Sequence, residues 1–322
     1  MSDSSPWDDI VVPTLDFNVR LVAGKTAVPC FWGRDPSGVC LFVIELQGNH
    51  IAQYRKDVVT VNGIGTDLRT ATESKQRLVL SLEKQVDRDL FEGLCRTLTS
   101  ALEHATDSAS SLAIALAHIR RWKTFLSGTG GPQLSPEQLR GLFAELTFLL
   151  ELLDSSISTA TAIEAWLGPD GSHQDFIFGN TAIEIKSLSG IERSSVRISS
   201  ADQLESLQDG LFLRIYRLSH LAEANGARSL NETVAMVEGL LGDPDAAITF
   251  DRKLAAHGYA PLPQYDEPRL VVSEVRSYCV AGEFPRLIRS RLPIGIAKVT
   301  YDIELEALAP YQCDNAILFR RA

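Results

Sequence analysis

One short segment of the chain holds two carboxylates and a lysine at spacings that could support hydrolytic chemistry. Residues 173–186 read His-Gln-Asp-Phe-Ile-Phe-Gly-Asn-Thr-Ala-Ile-Glu-Ile-Lys. Gly179-Asn180 tolerates positive φ and is flanked by two runs that alternate apolar and polar residues, which predicts a two-residue β-hairpin turn. The expected pairs are Phe178 with Thr181, Phe176 with Ile183 and Asp175 with Glu184, with His173 opposite Lys186.

The predicted hairpin separates apolar from polar side chains, because successive side chains of a strand point to opposite faces. The core face carries Phe176, Phe178, Ile183 and Ile185, and the other face carries His173, Asp175, Glu184 and Lys186. Two carboxylates directly opposite each other have Cβ atoms about 5 Å apart and repel. We therefore expect a cation between Asp175 and Glu184. Mg²⁺ is the obvious candidate, since it takes carboxylate oxygens and keeps waters, one of which Lys186 could orient or help deprotonate.

A third carboxylate lies on a predicted helix. Ser135, Pro136 and Gln138 form a capping signature for a helix that runs to about residue 153. Within it, Glu145 lies among apolar neighbours, with Gly141 one turn earlier leaving room beside it. A glutamate on an apolar stripe is costly unless it is paired or coordinated. Its expected partner is the same metal or Lys186, and a salt bridge to a core lysine or arginine is the alternative.

These residues belong to four motifs that, in this order, resemble the PD-(D/E)XK nuclease superfamily. The motifs are Gly141-Leu-Phe-Ala-Glu145, His173-Gln-Asp175-Phe, Ile183-Glu-Ile-Lys186 and Ile198-Ser-Ser-Ala-Asp-Gln203. They most resemble a bacterial branch associated with restriction-modification and phage-defence loci. The resemblance implies a metal-dependent DNA endonuclease that uses Mg²⁺, with Mn²⁺ as a substitute. The implied metal ligands are Asp175, Glu184, the Ile185 carbonyl and Glu145, with Lys186 catalytic and Gln203 near the scissile phosphate.

One departure from the motif and several alternatives bear on these assignments. Gln174 stands where the superfamily has proline before Asp175, and Pro169-Asp170 lies at the wrong distance for the hairpin. Gln203 could merely cap its helix in a capping box with Ser200. The remaining candidates have ordinary structural interpretations. His173 could form a hydrogen bond near a turn, and Trp166 could pack in the core. Arg193, Arg197 and the arginines of 286–291 could contact phosphates, but exposed arginines are usually just solvated.

The elements around these motifs predict an α/β protein with a restriction-endonuclease-like core, a mixed central sheet flanked by helices. The expected domains are a β-rich N-terminal domain (1–104), the nuclease core (105–216) and an α/β extension packed on the core (217–322). Strands are expected near 10–22, 39–46, 77–83, 175–178, 181–186, 196–198, 210–216, 270–278 and 294–303. Helices are expected near 87–102, 112–126, 135–153, 231–241 and 248–257, with a further one from Ala201. Ser127–Pro132 is a glycine-rich break between elements.

Composition narrows the function classes. The chain has 322 residues and a formal net charge of −10. Proteins that hold DNA unaided usually have a basic face, so we expect either a locally positive cleft or, preferably, a protein partner that delivers the DNA. The five scattered cysteines, the lack of a long apolar run and the acidic N-terminus favour a cytoplasmic protein without a membrane span. Phosphate-loop, dinucleotide-binding, serine-hydrolase and HExxH motifs are absent. A homodimer and a catalytically inactive subunit that binds DNA or a partner protein remain alternatives.

Overall fold

The chain divides into two compact units, Met1–Gln133 with Gly258–Pro263, and Leu134–His257 with Gln264–Ala322. A computed structural model describes residues 5–58, 60–61, 63–72, 74–83, 86–103, 105–127, 134–190, 194–221 and 224–319. Most of the predicted break at 127–132 lies outside these residues. The three domains expected from the sequence stay a prediction, and the division by contacts differs from them: it places 105–133 in the first unit and the C-terminal residues together with the core motifs.

The first unit contains a five-stranded antiparallel sheet with the strand order β1-β2-β3-β5-β4. A turn at Asp35 joins β2 and β3, because the Asp35 carboxylate accepts the N–H groups of Ser37 and Val39 at 2.9 and 2.8 Å. Leucines at a spacing of four form one face of α2, where Leu94, Leu98 and Leu102 are buried and Leu90 is half-buried. The elements are β1 (Asn18–Leu21), β2 (Cys30–Arg34), β3 (Cys40–Gln47), α1 (Ile51–Asp57), β4 (Ile64–Thr72), β5 (Lys75–Leu82), α2 (Arg88–Leu102) and α3 (Ser108–Ser127).

The second unit holds all the chemical motifs on a mixed sheet and its helices. Its elements are α4 (Pro136–Leu153), α5 (Thr159–Ala165), β6 (Phe176–Phe178), β7 (Thr181–Ser189), β8 (Ser195–Ile198), β9 (Gly210–His220), α6 (Leu230–Leu240), α7 (Pro244–Ala256), β10 (Leu270–Cys279), β11 (Tyr301–Glu304), β12 (Gln312–Cys313) and α8 (Ala316–Phe319). The sheet order is β12-β10-β9-β7-β6, and β7 and β9 are parallel. Strands from the C-terminal third therefore complete the sheet that carries the motif hairpin, and the expected mixed α/β class is confirmed.

Both faces of this sheet are covered by apolar residues. The capping box expected for α4 is present at Ser135 and Gln138, and Phe148 of α4 contacts Phe176 of β6 at a ring distance of 4.8 Å. On the opposite face, Ala182 and Leu188 of β7 join a core that includes the β8–β11 ribbon. The polar residues of β7 must therefore be accommodated within a buried sheet. No helix in the described part of the chain is long and apolar enough to cross a membrane.

Three expected elements differ from the structure. The first expected strand, near 10–22, forms only over Asn18–Leu21. The expected helix from Ala201 is a single 3₁₀ turn, Ala201–Leu204. The last expected strand, near 294–303, forms only over Tyr301–Glu304, where it pairs with β8 rather than with the main sheet.

Candidate active site

The predicted hairpin register is confirmed, with Phe176 opposite Ile183 and Phe178 opposite Thr181 around a turn in which Gly179 has a φ of 53°. The ladder ends at Phe176, so Asp175 lies one residue beyond it. The Asp175 Oδ2 atom accepts the Ile185 N–H at 2.7 Å, in place of a backbone partner. Because a strand residue points its N–H and C=O to the same edge, the Ile185 carbonyl lies on the edge that Asp175 occupies.

Glu184 and Lys186 form a buried ion pair on β7. Their Oε1 and Nζ atoms are 2.7 Å apart, and the Glu184 side chain is 1% exposed. The contact lacks hydrogen-bond alignment, and neither Glu184 oxygen accepts a hydrogen bond from the described residues. Burial raises the pKa of Glu184 to about 7. Burial alone would lower the pKa of Lys186, but Glu184 and Asp175 outweigh it and raise that pKa, so this lysine carries its charge.

Asp175 faces a second carboxylate from helix α4. Removal from water, followed by the charges of Glu184 and Glu145, raises the pKa of Asp175 well above its usual value. The close approach is made at Gly168: a Cβ atom there would lie 2.9 Å from Glu145 Oε2 and 3.1 Å from Asp175 Oδ1. A side chain at this position would force the Glu145 carboxylate to shift and would crowd Asp175. Two carboxylates, Glu145 of α4 and Asp175 just before β6, thus meet at one glycine, and the charge of Glu184 on β7 also acts on Asp175.

Glu145 is held by two residues, Trp166 and His257, that its local sequence does not indicate as partners. Its Oε2 atom accepts the Trp166 indole N–H at 2.7 Å, and its Oε1 atom lies 3.4 Å from His257 Nε2. Burial would lower the pKa of His257, but Glu145 outweighs this effect and raises it. Among the described residues the ion-pair partner of Glu145 is His257, and neither Lys186 nor another lysine or arginine forms an ion pair with it; its expected contact with a metal stays a prediction. Packing describes only part of the role of Trp166.

Gln203 contacts Lys186 directly. Its Oε1 atom accepts the Ser199 N–H at 2.8 Å and lies 3.3 Å from Lys186 Nζ. The alternative capping box with Ser200 is wrong, because the Ser200 hydroxyl accepts the N–H of Asp202 instead. Gln203 therefore links Lys186 to the turn that follows β8.

Gln174 fixes the position of that turn. Its buried side-chain amide donates to the carbonyls of Asp202, Gln203 and Glu205 at 2.9, 3.3 and 3.0 Å. Those carbonyls are the acceptors that a continuing α-helix would use, which accounts for the single 3₁₀ turn where a helix was expected. A proline here, as in the superfamily pattern, has no such donor. The departure from the motif thus connects the strand of Asp175 to the turn of Gln203.

The family comparison agrees with this geometry. A family model described as "Putative PD-(D/E)XK family member, (DUF4420)" matches residues 4–306. The chain belongs to this family. Membership indicates a nuclease-like function, and the mixed α/β architecture is compatible with a PD-(D/E)XK-like fold. PD-(D/E)XK nucleases typically use divalent metals. No curated protein and no solved structure matches the chain.

In this PD-(D/E)XK family member, Asp170 does not line the cleft that holds the acids and instead forms ion pairs with helix α7. It contacts Arg252 at 3.1 Å and Lys253 at 3.3 Å. The buried Lys253 amine also donates to the backbone carbonyls of Glu164 and Trp166. Helix α7 thereby holds the segment that presents Trp166 and Gly168 to the carboxylates.

Several weaker candidates lie away from the carboxylates. His173 is exposed and does not line the cleft that holds the acids, and Arg193 lies outside the described residues. Arg286 donates to the Leu204 carbonyl at 2.7 Å and also lies outside the cleft lining. Arg197 does line the cleft.

The cleft has a volume of about 580 Å³ and is more acidic than basic. Its charged lining consists of Glu137, Glu145, Asp175, Glu184 and Asp302 against Arg140, Lys186 and Arg197, with His257 beside them. The locally positive cleft that would compensate the net charge is therefore not present at this site.

A divalent cation fits the donor chemistry of the site. In the described part of the chain, no three His, Cys, Asp or Glu side chains together form a metal-binding group. Asp175 and Glu184 with the Ile185 carbonyl would instead supply two carboxylates and one backbone oxygen, which are hard donors suited to Mg²⁺. The Glu184 oxygens, buried without a hydrogen bond from the described residues, are in the state expected of a ligand that awaits a cation.

Proposed function

We propose that this protein is a divalent-metal-dependent DNA endonuclease that hydrolyses phosphodiester bonds at the cleft between α4 and β7. The observation that carries the proposal is the buried Glu184, whose oxygens lack hydrogen bonds from the described residues while Lys186 lies 2.7 Å away and Asp175 lies beyond the adjoining strand end. A buried carboxylate is costly for folding unless it is both paired and hydrogen-bonded, and Glu184 has the ion pair with Lys186 but no hydrogen bond from the described residues. A catalytic role explains why the sheet contains this carboxylate, and the family membership supports the same chemistry.

In this proposal each side chain has a separate task. Asp175, Glu184 and the Ile185 carbonyl would hold Mg²⁺, and the ion would supply charge stabilisation for the attacking and leaving oxygens. Lys186, as an ammonium, orients the attacking water and offsets negative charge near the scissile phosphate. Gln203 fixes the lysine from the far side at 3.3 Å. Glu145 supports the centre from α4, where Trp166 and His257 hold its carboxylate.

The charge of the cleft supports both the metal and a protein partner. Acidic side chains outnumber basic ones in its lining, and DNA is a polyanion whose binding depends on cation neutralisation. The acidic lining therefore repels DNA, and a bound divalent ion would offset part of that repulsion. With a net charge of −10 for the whole chain, a partner that delivers DNA accounts for the remainder. A role in restriction or phage defence follows from the resemblance to that bacterial branch, and a homodimer would allow both strands to be cut.

The direct test is conversion of supercoiled plasmid to nicked or linear DNA in Mg²⁺, in Mn²⁺ and in EDTA. We expect cleavage only with a divalent ion, and we expect Lys186→Met to reduce the rate at least a hundredfold while the fold is retained. Lys298→Met, at an exposed lysine of the same unit, is the matched control and should cleave at the wild-type rate. Both variants are purified in parallel so that a contaminating nuclease would appear equally in each.

The same experiment separates the enzyme from a non-catalytic subunit that binds DNA or a partner. A binding subunit would show no metal-dependent cleavage and no stabilisation by Mg²⁺ or Mn²⁺. Lys186→Met would then leave capture of its partner unchanged. Equal cleavage by the wild-type protein and Lys186→Met would also overturn the proposed role of the site.

A further inference from the structure

The cleft wall formed by the first turns of α4 has two features that the proposed chemistry does not use. Arg140 lines the cleft, and its Nε atom is buried without a hydrogen-bond partner among the described residues. Gly141, the next residue, also lines the cleft, and a Cβ atom there would meet nothing within 4 Å. Both features call for an explanation from outside the chain.

The unpaired Nε of Arg140 is unusual for its surroundings. Most buried polar atoms in proteins have a hydrogen-bond partner, and leaving a donor unpaired is costly. Glu137, Glu145 and Asp302 line the same cleft, yet Arg140 forms no ion pair with them among the described residues. The Nε atom itself is enclosed, but Arg140 lines the cleft and has no ion pair among the described residues that would compete with an entering anion. The planar fork of donors on the Arg140 guanidinium group matches a phosphate group.

The glycine at position 141 has no steric reason in the described part of the chain. A glycine inside a helix is less favourable than alanine by up to about 1 kcal/mol. Glycine is the residue that lets another backbone approach closely. Since Gly141 is four residues before Glu145, the two lie on the same helix face. The open space beside Gly141 therefore adjoins the carboxylates.

We propose that Arg140 and Gly141 form a binding subsite for a phosphate next to the scissile one, so that the nucleic-acid backbone runs along the first turns of α4. Arg140 is about 7.5 Å along the helix axis from Glu145, at a rise of 1.5 Å per residue. A phosphate bound there is a neighbour of the cleaved group and not the cleaved group itself. This inference rests on the proposed nuclease function, and it deepens that function by assigning the strand path.

Residues at β8 line the same cleft and are suited to the same strand: Ser195 and Arg197 lie in β8, and Ser199 follows it. Arg197 is exposed and lies opposite Asp302 in the β8–β11 ribbon, and no ion pair joins the two among the described residues. Arg140 and Arg197 therefore both line the cleft that holds the acids, and neither has an ion pair among the described residues. Such a pair holds an anionic strand while the acids remain free for a cation.

The test measures DNA affinity and salt dependence in the uncleaving Lys186→Met background, with a fluorescent DNA duplex in Mg²⁺ at low ionic strength. Arg140→Ala is expected to weaken binding roughly tenfold, as loss of a charge-assisted hydrogen bond does. It should also reduce the slope of log K against log salt by about 1. Arg140→Lys should keep the slope and recover only part of the affinity. Arg276→Ala, which removes a charge on β10, is the matched control.

Gly141→Ala provides a second test that does not depend on charge. The added methyl should raise the melting temperature by roughly 2 °C through helix propensity. It should also weaken DNA binding, and raise the KM for cleavage in the Lys186 wild-type background, at least threefold. Loss of binding together with a gain in stability is the opposite of what a merely structural residue would show.

The outcomes separate this inference from the proposed function. If the wild-type protein cleaves DNA while Arg140→Ala and Gly141→Ala keep its affinity, salt slope and KM within twofold, the subsite is refuted and the nuclease stands. If the wild-type protein neither binds nor cleaves DNA even at low salt, both are refuted.

Discussion

The burial of Glu184 predicts that the metal-free protein loses stability as the pH rises and that Glu184→Gln removes this loss. Burial raises the pKa of this carboxyl from 4.5 to about 7. An acid whose folded-state pKa exceeds its unfolded value binds its proton more tightly in the folded state. Its contribution to stability is therefore complete below pH 4.5 and is lost as the pH rises through about 7.

The size of the effect follows from the same two values. At about 1.4 kcal/mol for each tenfold change, the difference between pKa 4.5 and about 7 corresponds to about 3 kcal/mol of unfolding free energy. Glutamine has nearly the same shape and does not titrate. The unfolding free energy of Glu184→Gln minus that of the wild-type protein should thus be about 3 kcal/mol larger at pH 8 than at pH 4.5.

Urea unfolding in EDTA at several pH values measures this shift. Glu306→Gln, at an exposed glutamate of the same unit, is the matched control. At pH 8, Mn²⁺ should restore stability to the wild-type protein and not to Glu184→Gln. An effect of Glu184→Gln that is equal at pH 4.5 and pH 8 would refute the reasoning, because the carboxylate would then not be buried in its charged form.

Three substitutions test the surrounding contacts. Gly168→Ala brings a methyl group to within 2.9 Å of the Glu145 carboxylate. It should destabilise the fold by about 1–3 kcal/mol and so lower the melting temperature. Gly141→Ala is its control, and a Gly168→Ala variant that melts at the same temperature as Gly141→Ala would contradict the close packing at Gly168. Trp166→Phe removes the indole donor to Glu145. It should lower the unfolding free energy measured in urea by about 1–3 kcal/mol and reduce the cleavage rate. An unfolding free energy and a cleavage rate equal to those of the wild-type protein would show that this hydrogen bond is dispensable. Gln174→Met leaves three carbonyls without their donor, and amide hydrogen exchange at 199–205 should accelerate at least tenfold; unchanged exchange would contradict its anchoring role.

The local parts of the site were predictable because short-range rules determine them. The Gly179-Asn180 turn and the two-residue period of a strand fix which residues face one another, so the pairing of Phe176 with Ile183 and of Phe178 with Thr181 followed from the sequence alone. The expected pairs of Asp175 with Glu184 and of His173 with Lys186 lie beyond the end of this ladder. The capping residues Ser135 and Gln138 likewise fixed the start of α4 and hence the placement of Glu145 on its apolar face.

The contacts that complete the site could not be predicted in the same way. His257 reaches Glu145 from helix α7, 112 residues later in the chain, and no local pattern specifies that approach. Trp166 was assigned to packing, because a tryptophan between apolar residues gives no indication of where its N–H points. Gln174 was recognised only as a departure from the motif. Its polar side chain in a buried strand end was the available indication that it had hydrogen-bond partners elsewhere.

The central claim is that Asp175 and Glu184 share a divalent cation with the Ile185 carbonyl. Crystals soaked in Mn²⁺ and measured for anomalous scattering test it most directly. The account predicts one strong peak between the two carboxylates, within about 2.3 Å of oxygens from both, and its loss in Asp175→Asn crystals. A well-ordered structure at millimolar Mn²⁺ in which Lys186 still contacts Glu184 and no anomalous peak lies between the acids would contradict it.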